Sequence, residues 1–339
     1  MFCKKALRKD DWSEHSKIST EIYVRFFTEY SLNTPTAFPL YMTHTYRTLS
    51  ILLLFCMAFG LSCYLLQPKA RDNLIHVYML DIGQGDSFLI EAANGKKILI
   101  DGGRDSTVLS ELSKVLPASD RSIDVVVATH PDADHIGGLG SVLERYHVGL
   151  FLTSQVTADT KTFIDLYREL AREKIPSFYA RHNMVITLDS IQGTTFTILF
   201  PDRDTTGWKT NEASVVGRLQ VGRHSMLFTG DSPSSIEHFL IQAYGSTSLT
   251  ASGLSILQSD VLKLGHHGSK YSSSTEYLQA VHPKLGLISA GIDNSYHHPS
   301  VETLGRLKAE NIPWITTQDN GTVDLFTDGI AEWSWKSVQ

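Results

Sequence analysis

From residue 74 onward the chain alternates short apolar runs with polar turns. The runs 74-LIHVYMLDI-82, 86-DSFLIEA-92, 97-KILIDGG-103 and 123-IDVVVATH-130 read as strands, with turn signals at 83-GQG-85 and 94-NG-95. The period lengthens at 106-STVLSELSKVL-116, 136-IGGLGSVLERY-146 and 161-KTFIDLYRELAREK-174, which predicts amphipathic helices. Strands return at 194-TTFTILF-200, 214-SVVGRLQVG-222 and 225-SMLFTGD-231, the last two as a hairpin around Gly222 to His224, and a helix follows at 234-SSIEHFLIQAY-244. The remainder, 260-DVLKLGHHG-268, 274-STEYLQAVH-282, 285-LGLISAG-291, 300-SVETLGRLKAEN-311 and 313-PWITTQDNGTVDLFT-327, alternates strand and helix. Two successive halves of mixed sheet with helices predict a layered α/β sandwich over 74–339.

The pattern before residue 74 is different. The run 49-LSILLLFCMAFGLSCYLL-66 is 18 residues without a charge, long enough to span a bilayer core. It reads as a single transmembrane anchor over 48–67, with a cleaved signal peptide or a buried helix as alternatives. Arg47 on one flank and Lys69 with Arg71 on the other give no orientation by the positive-inside rule. Residues 1–47 read as a poorly structured tail, with an amphipathic start around 20-TEIYVRFFTEY-30. Met42 opens 42-MTHTYR-47 in the manner of a leader's charged start, so Met1 and Met42 both remain open as the first residue. A lipid-anchor motif at Cys63 is disfavoured, because Gly60 stands where an aliphatic residue is wanted.

Composition narrows the chemistry. The formal charge is -6, and the first 73 residues hold 9 of the 30 Lys/Arg and 6 of the 36 Asp/Glu, so the remainder carries 21 against 30, a net of -9. That excludes a strongly basic nucleic-acid binder; a polyanionic substrate must be met by local groups or by metal ions. All three cysteines, Cys3, Cys56 and Cys63, precede residue 64, so the rest of the chain holds neither a disulfide nor a thiolate metal site.

The strand ends carry the candidate chemistry. Asp101 closes 98-ILID-101; His130, Asp132, Asp134 and His135 follow 123-IDVVVAT-129; Asp231 closes 226-MLFTGD-231; His266 and His267 follow 260-DVLKLG-265. A single strand-end Asp is commonly a turn former. So many ionisable groups crowded together are costly unless something neutralises them, and oxygen with imidazole donors suits a hard or borderline divalent cation.

The pieces 81-DIGQGDSFLI-90, 99-LIDGG-103, 129-THPDADHIGG-138, 211-NEASVV-216, 228-FTGD-231, 264-LGHHGSKYSSS-274, 289-SAG-291 and 297-HHPS-300 give the segment from 74 to 327 a plain resemblance. It resembles the metallo-β-lactamase-fold domain of the ComEC-type competence hydrolases. The resemblance implies a four-layered αββα sandwich and a site for two divalent ions, Mn²⁺ or Zn²⁺. It implies a membrane-anchored hydrolase with an extracytoplasmic catalytic domain, a phosphodiesterase or nuclease acting on single-stranded DNA, a nucleotide or another phosphodiester. The polytopic channel and DNA-binding parts of full ComEC proteins find no counterpart, so the expectation covers hydrolysis and not transport.

By the same resemblance, His130 and Asp132 belong to the first metal, Asp134, His135 and His267 to the second, and Asp231 bridges both. Asp134 would orient the attacking water and take its proton, with His266 or His298 facing the substrate. Asp132 replaces an imidazole of the family signature, and Asn211 to Ser214 stand where its third-motif histidine is expected. The first site is therefore oxygen-rich, and His182 is a candidate substitute ligand. Gln84 and Asp86 line the metal edge or form only a tight turn; Asp101 orients a ligand from behind; Asn211 and Ser214 are placed with the substrate or behind the ligands. Ser269 and 272-SSS-274 cap a helix or contact phosphate. Two other readings are an acyl hydrolase acting on a thioester or lactam, and an accessory membrane protein with a structural metal.

Overall fold

The structure is a computed structural model that describes residues 40–65, 72–245 and 255–338, and in the first of these segments the side chains from Tyr46 to Ser62. The chain falls into two units, Met1–Gln67 and Pro68–Gln339. In the first, α1 (Leu40–Leu65) carries most of the uncharged run, and its described side chains are all exposed. Among the described residues no helix is long and apolar enough to cross a membrane. The span expected over 48–67 is therefore not shown; of that stretch, residues 48–65 are helical. Residues 66 and 67, the tail up to residue 39 and the side chain of Cys63 lie outside the described residues.

The second unit opens with β1 (Ile75–Met79), β2 (Phe88–Glu91), β3 (Lys97–Ile100), α2 (Thr107–Val115), β4 (Ser122–Ala128), α3 (Ala133–Ile136), α4 (Leu139–Arg145), β5 (His147–Thr153), α5 (Lys161–Glu173) and β6 (Ser177–Tyr179). It continues with β7 (Val185–Asp189), β8 (Thr194–Phe200), β9 (Val216–Val221), β10 (His224–Phe228), α6 (Ser234–Tyr244), β11 (Val261–Lys263), α7 (Thr275–Val281) and β12 (Leu285–Ile288). Last come α8 (Val301–Ala309), β13 (Trp314–Thr316), α9 (Thr317–Asn320), β14 (Val323–Thr327) and β15 (Ser334–Ser337). The strands form two sheets, ordered β15-β14-β1-β2-β3-β4-β5-β6 and β13-β12-β11-β10-β9-β8-β7.

Side-chain alternation explains the layering. Ile75, Val77 and Met79 of β1 point between the sheets, where Phe88, Ile98 and Val125 meet Phe196, Leu219, Met226 and Phe228. Phe88 and Phe228 touch edge to face, 5.5 Å between centroids at 82°, a geometry that adds about 0.5–1.5 kcal/mol to their burial. Tyr78, Leu89, Leu99 and Val126 face the other way, onto Leu112 of α2, Leu139 and Val142 of α4, and Leu166 and Leu170 of α5. The second sheet buries its outer face under Leu240 of α6, Leu278 of α7 and Leu307 of α8. The order of layers is helix, sheet, sheet, helix, the αββα sandwich that was expected.

Two local features differ from the sequence reading. The helix expected over 136–146 is broken into α3 and α4 at Gly137 and Gly138; a Cβ on Gly138 would overlap the Gly102 carbonyl, so the turn packs backbone against backbone. The strands β5, β6, β7 and β15 were not anticipated: β5 opens on exposed His147 and Gly149, and β6 and β15 have no buried residue. The hairpin is where it was expected, with Val221 paired to His224.

The topology also gathers the chemistry. β3, β4 and β5 run parallel, as do β10, β11 and β12. Asp101, His130, Asp231, His267 and Ser289 all follow the C-terminal ends of such strands, the end at which α/β sheets present ligand-binding loops.

Candidate metal centre

The side chains converge from both sheets. His266 and His267 sit in a kinked turn after β11 with left-handed backbones, φ 51° and 55°, and Asp101 after β3 has φ 59°. Such conformations cost on the order of 1–3 kcal/mol for residues other than glycine and persist where the surroundings enforce them. The turn 132–135 opens α3, and the loop 83–87 closes over it: Asp86 N donates to Asp134 O at 3.3 Å, and Gly103 N to Asp86 O at 2.9 Å. A Cβ on Gly85 would fall on the Asp134 carbonyl oxygen, which only glycine avoids.

Three imidazoles are held from behind. His135 Nδ1 donates to Asp101 Oδ2 at 2.8 Å. Asp101 also accepts from Thr129 N and Thr129 Oγ1, each at 2.7 Å. The Thr129 hydroxyl donates its one hydrogen to Asp101, so it accepts from His130 Nδ1, 3.0 Å away. His267 Nδ1 donates to Ser289 O at 3.0 Å. Each ring therefore has Nδ1 engaged and turns Nε2 inward, the arrangement that fixes the tautomer of a metal-binding histidine.

Asp231 is the focus of those nitrogens. Its Oδ1 lies 3.3 Å from His135 Nε2, and its Oδ2 lies 3.4 Å from His267 Nε2, 3.6 Å from His266 Nε2 and 4.0 Å from His130 Nε2. Asp132 Oδ2 is 3.7 Å from His130 Nε2, and Asp134 Oδ2 is 3.7 Å from His267 Nε2. Ligand atoms of Asp86, His135, Asp231 and His267 lie within 4.8 Å of one another.

Electrostatics follow from burial against paired charge. Burial opposes the charge on His135, but Asp231 and Asp101 outweigh it and hold the imidazole well above its ordinary value. His267 is likewise pushed up to about 9 against its burial, by Asp231 and Asp86. Burial, reinforced by the charge of His135, presses His130 well below its ordinary value. Asp231 is held far down by His267 and His135 despite its burial, whereas burial raises Asp101 and Asp132.

These residues fit a metal. His130 Nε2, His135 Nε2, His267 Nε2 and Asp231 Oδ1 are buried without a hydrogen-bond partner, and orphaned atoms of this kind are costly unless something binds them. A cation at the focus satisfies all four.

The family model of the metallo-β-lactamase superfamily matches residues 80–292. The chain belongs to that superfamily. It is similar, at 29% identity over 264 residues, to ComE operon protein 3 of Bacillus subtilis (strain 168), a ComEC-type relative; the match covers 73% of this chain and 32% of that protein. The chain thus spans about a third of that relative's length. A shorter match, 30% identical over 67 residues and covering 20% of this chain and 24% of the other, is to exodeoxyribonuclease WalJ of Streptococcus pneumoniae serotype 2. Among solved structures, the metallo-β-lactamase fold protein YhfI from Bacillus subtilis superposes with a TM-score of 0.50 at 16% identity, over 75% of this chain and 100% of that one. This likeness shows the fold.

On this metallo-β-lactamase frame the remaining candidates separate. His266 is partly exposed beside Asp231, and Asn211 Nδ2 lies 3.5 Å from its Nδ1. His298 lies 5.4 Å from His266, ring to ring; burial, with the charges of His266 and His267, lowers it to about 4. Ser214 Oγ accepts from Asp231 N at 3.2 Å and so steadies the central aspartate. Gln84 does not reach the centre; its Oε1 accepts from Gly291 N at 3.2 Å. Ser269 is buried and accepts from Tyr271 N, while Ser274 caps α7 by accepting from Tyr277 N. His182 is not in the cluster of Asp86, His135, Asp231 and His267: its Nδ1 donates to Tyr244 Oη at 2.8 Å, and that hydroxyl donates to Leu199 O at 2.7 Å. Sequence reasoning missed Thr129 and Lys263. The signal for Lys263 was a lysine inside the apolar run 260-DVLKLG-265.

Proposed function

We propose that the unit Pro68–Gln339 is a metal-dependent phosphodiesterase of the ComEC type, acting on single-stranded DNA, a nucleotide or a related phosphodiester. The observation that carries this reading is the carboxylate excess at the centre. Asp86, Asp101 and Asp231 are buried there, with Asp132 and Asp134 half-buried beside them, and Lys263 is the one lysine among them, so in the absence of metal the balance falls to protons on His135 and His267. Divalent cations in place of those protons would offset the carboxylates, as buried charge requires. With Asp132 beside His130 instead of an imidazole, the first position is rich in oxygen and suits Mn²⁺ at least as well as Zn²⁺.

Two such ions supply an acidified water and positive charge beside phosphorus. Asp134, partly exposed over His267, orients the attacking water and accepts its proton. His298 is neutral at physiological pH, as is His266, which burial lowers. Each therefore offers one N–H to the phosphoryl oxygens as charge develops on them. His135, His130 and His267 stay fixed by Asp101, Thr129 and Ser289, so the ligands do not reorganise during the reaction.

The test is turnover by the purified full chain on a panel of phosphodiesters and acyl esters, with Mn²⁺, Zn²⁺ and Mg²⁺ added separately. Cleavage of phosphodiesters in Mn²⁺ is the expected result. Activity confined to thioesters or lactams would assign the acyl-hydrolase chemistry instead, and no activity with a firmly bound metal would leave a structural site.

The location belongs to the same proposal: a single-pass anchor over 48–67 with the catalytic unit outside the cytoplasm. Its support is the uncharged run and the exposed side chains of α1. A periplasm-only reporter fused after Gln339 should be active; a silent reporter, or a mature N-terminus near residue 64, rejects it.

A further inference from the structure

Lys263 is the last residue of β11 and is buried among Val261, Leu262 and Leu264 of the same run. Its Nζ donates to Gly230 O at 2.8 Å, forms an ion pair with Asp86 Oδ2 and lies 3.7 Å from Asp231 Oδ1. Asp86 places Oδ1 3.3 Å from His267 Nδ1 and Oδ2 3.9 Å from His135 Nδ1. Asp86 therefore lies on the Nδ1 side of both imidazoles, and the Lys263 ammonium stands between it and Asp231.

Asp86 is nevertheless close enough to serve as a ligand, since its oxygen lies within 4.8 Å of ligand atoms of His135, Asp231 and His267. Asp134, His135, His267 and Asp231 are already offered to the second position, so a further carboxylate there would take the place that a hydrolytic site keeps for water or substrate. We propose that Lys263 is a positioning residue that keeps Asp86 out of the coordination sphere. Its ammonium claims Oδ2 and holds the carboxylate on the Nδ1 side of His267, whose proton goes to Ser289 O, with Oδ1 left unpartnered, and the open position stays available to water or substrate. The ammonium also repels nearby cations, so the arrangement gives up metal affinity for an open sphere.

This inference rests on the metal-centre reading, and its test measures binding as well as turnover. The metal-free full chain is titrated with Co²⁺ and followed by visible absorption in the wild type, Lys263→Met, Asp86→Asn and the double variant. Lys263→Met is expected to bind Co²⁺ about tenfold more tightly, because a repelling charge is gone and a carboxylate is released to bind. Its d–d absorption weakens as the coordination number rises, and turnover falls. Lys263→Met/Asp86→Asn returns affinity and absorption to the wild type. Asp86→Asn alone leaves the absorption unchanged while affinity drops about tenfold, the ammonium no longer being neutralised.

A lysine that merely supports the fold gives the opposite sign, weaker binding in Lys263→Met. Equal or weaker Co²⁺ binding in that variant overturns the proposal. Should Lys263→Met not fold, a changed absorption in Asp86→Asn overturns it, because that change shows Asp86 to be a ligand already. Failure of the wild type to bind Co²⁺ at all removes the metal-centre reading, and the inference with it.

Discussion

Asp101 Oδ2 lies 2.8 Å from His135 Nδ1 although 34 residues separate them along the chain. The contact joins the end of β3 to the turn after β4, and it selects which nitrogen of His135 faces Asp231. Asp101→Asn, whose amide can present N–H to that nitrogen, is expected to lower metal affinity ~10- to 100-fold with the fold intact. Isothermal titration of the metal-free protein checks this; unchanged affinity would return Asp101 to the status of a turn former.

Asp231 receives four imidazole nitrogens within 4.0 Å. Asp231→Asn should hold less metal per chain and lose turnover by ~10³-fold or more, since the charge that gathers the cations is gone. Elemental analysis of the purified variant decides the matter, and full metal content with full activity would sink the central assignment.

Asp132 is 41% exposed and faces His130, so an imidazole can be accommodated there without burying new bulk. Asp132→His should shift the metal giving most turnover from Mn²⁺ toward Zn²⁺, as softer donors favour the later metal. A wild type that works best in Zn²⁺, together with a variant indifferent to metal, contradicts the oxygen-rich reading of the first position.

The pairing of His182 with Tyr244 predicts a stability effect and no metal effect. Tyr244→Phe removes the hydroxyl between His182 and Leu199 O and should cost about 1–2 kcal/mol, the price of one lost network bond with a carbonyl left behind. Denaturant unfolding should show that loss while metal content stays at the wild-type value.

His76 lies between Asp324, 2.8 Å from Nδ1, and Asp72, 3.0 Å from Nε2. Burial opposes its charge, but those two carboxylates raise it overall above the ordinary histidine value. A histidine raised on folding contributes stability that is fully present below its unfolded value, near 6.5, and is lost as pH rises through the folded one. His76→Gln should therefore destabilise by about 1 kcal/mol more at pH 5.5 than at pH 9, after allowance for solvent around Asp72. Urea unfolding at the two pH values tests the sign; an equal or reversed difference rejects it.

Much of this architecture was legible because it is local. The alternation in β1 and β4 and the spacing of His130, Asp132, Asp134 and His135 are written within a few residues of one another. The limits of α6, Ser234 to Tyr244, coincide with the apolar pattern. What escaped depends on distant approach. β15 has no buried face, so nothing in its four exposed residues announces a strand. The role of Lys263 arises only when the loop 83–87 crosses from the other sheet and brings Asp86 to it. A lysine in an apolar strand carries no periodicity that would say so, and the Ser289 carbonyl that fixes His267 is invisible to any reading of side chains. The choice of Tyr244 over a metal for His182 was set by α6 packing on the second sheet, again a long-range contact.

Asp101, His130 and His135 hang from the first sheet, whereas Asp231 and His267 hang from the second, so any cation held among them is also a crosslink between two halves of the molecule. An ion that binds only the docked sheets stabilises docking by about 4 kcal/mol when free metal exceeds the dissociation constant a thousandfold. Metal starvation then does more than silence chemistry. It loosens the seam around Phe88 and Phe228, and the lifetime of the folded chain becomes tied to the supply of ions around it.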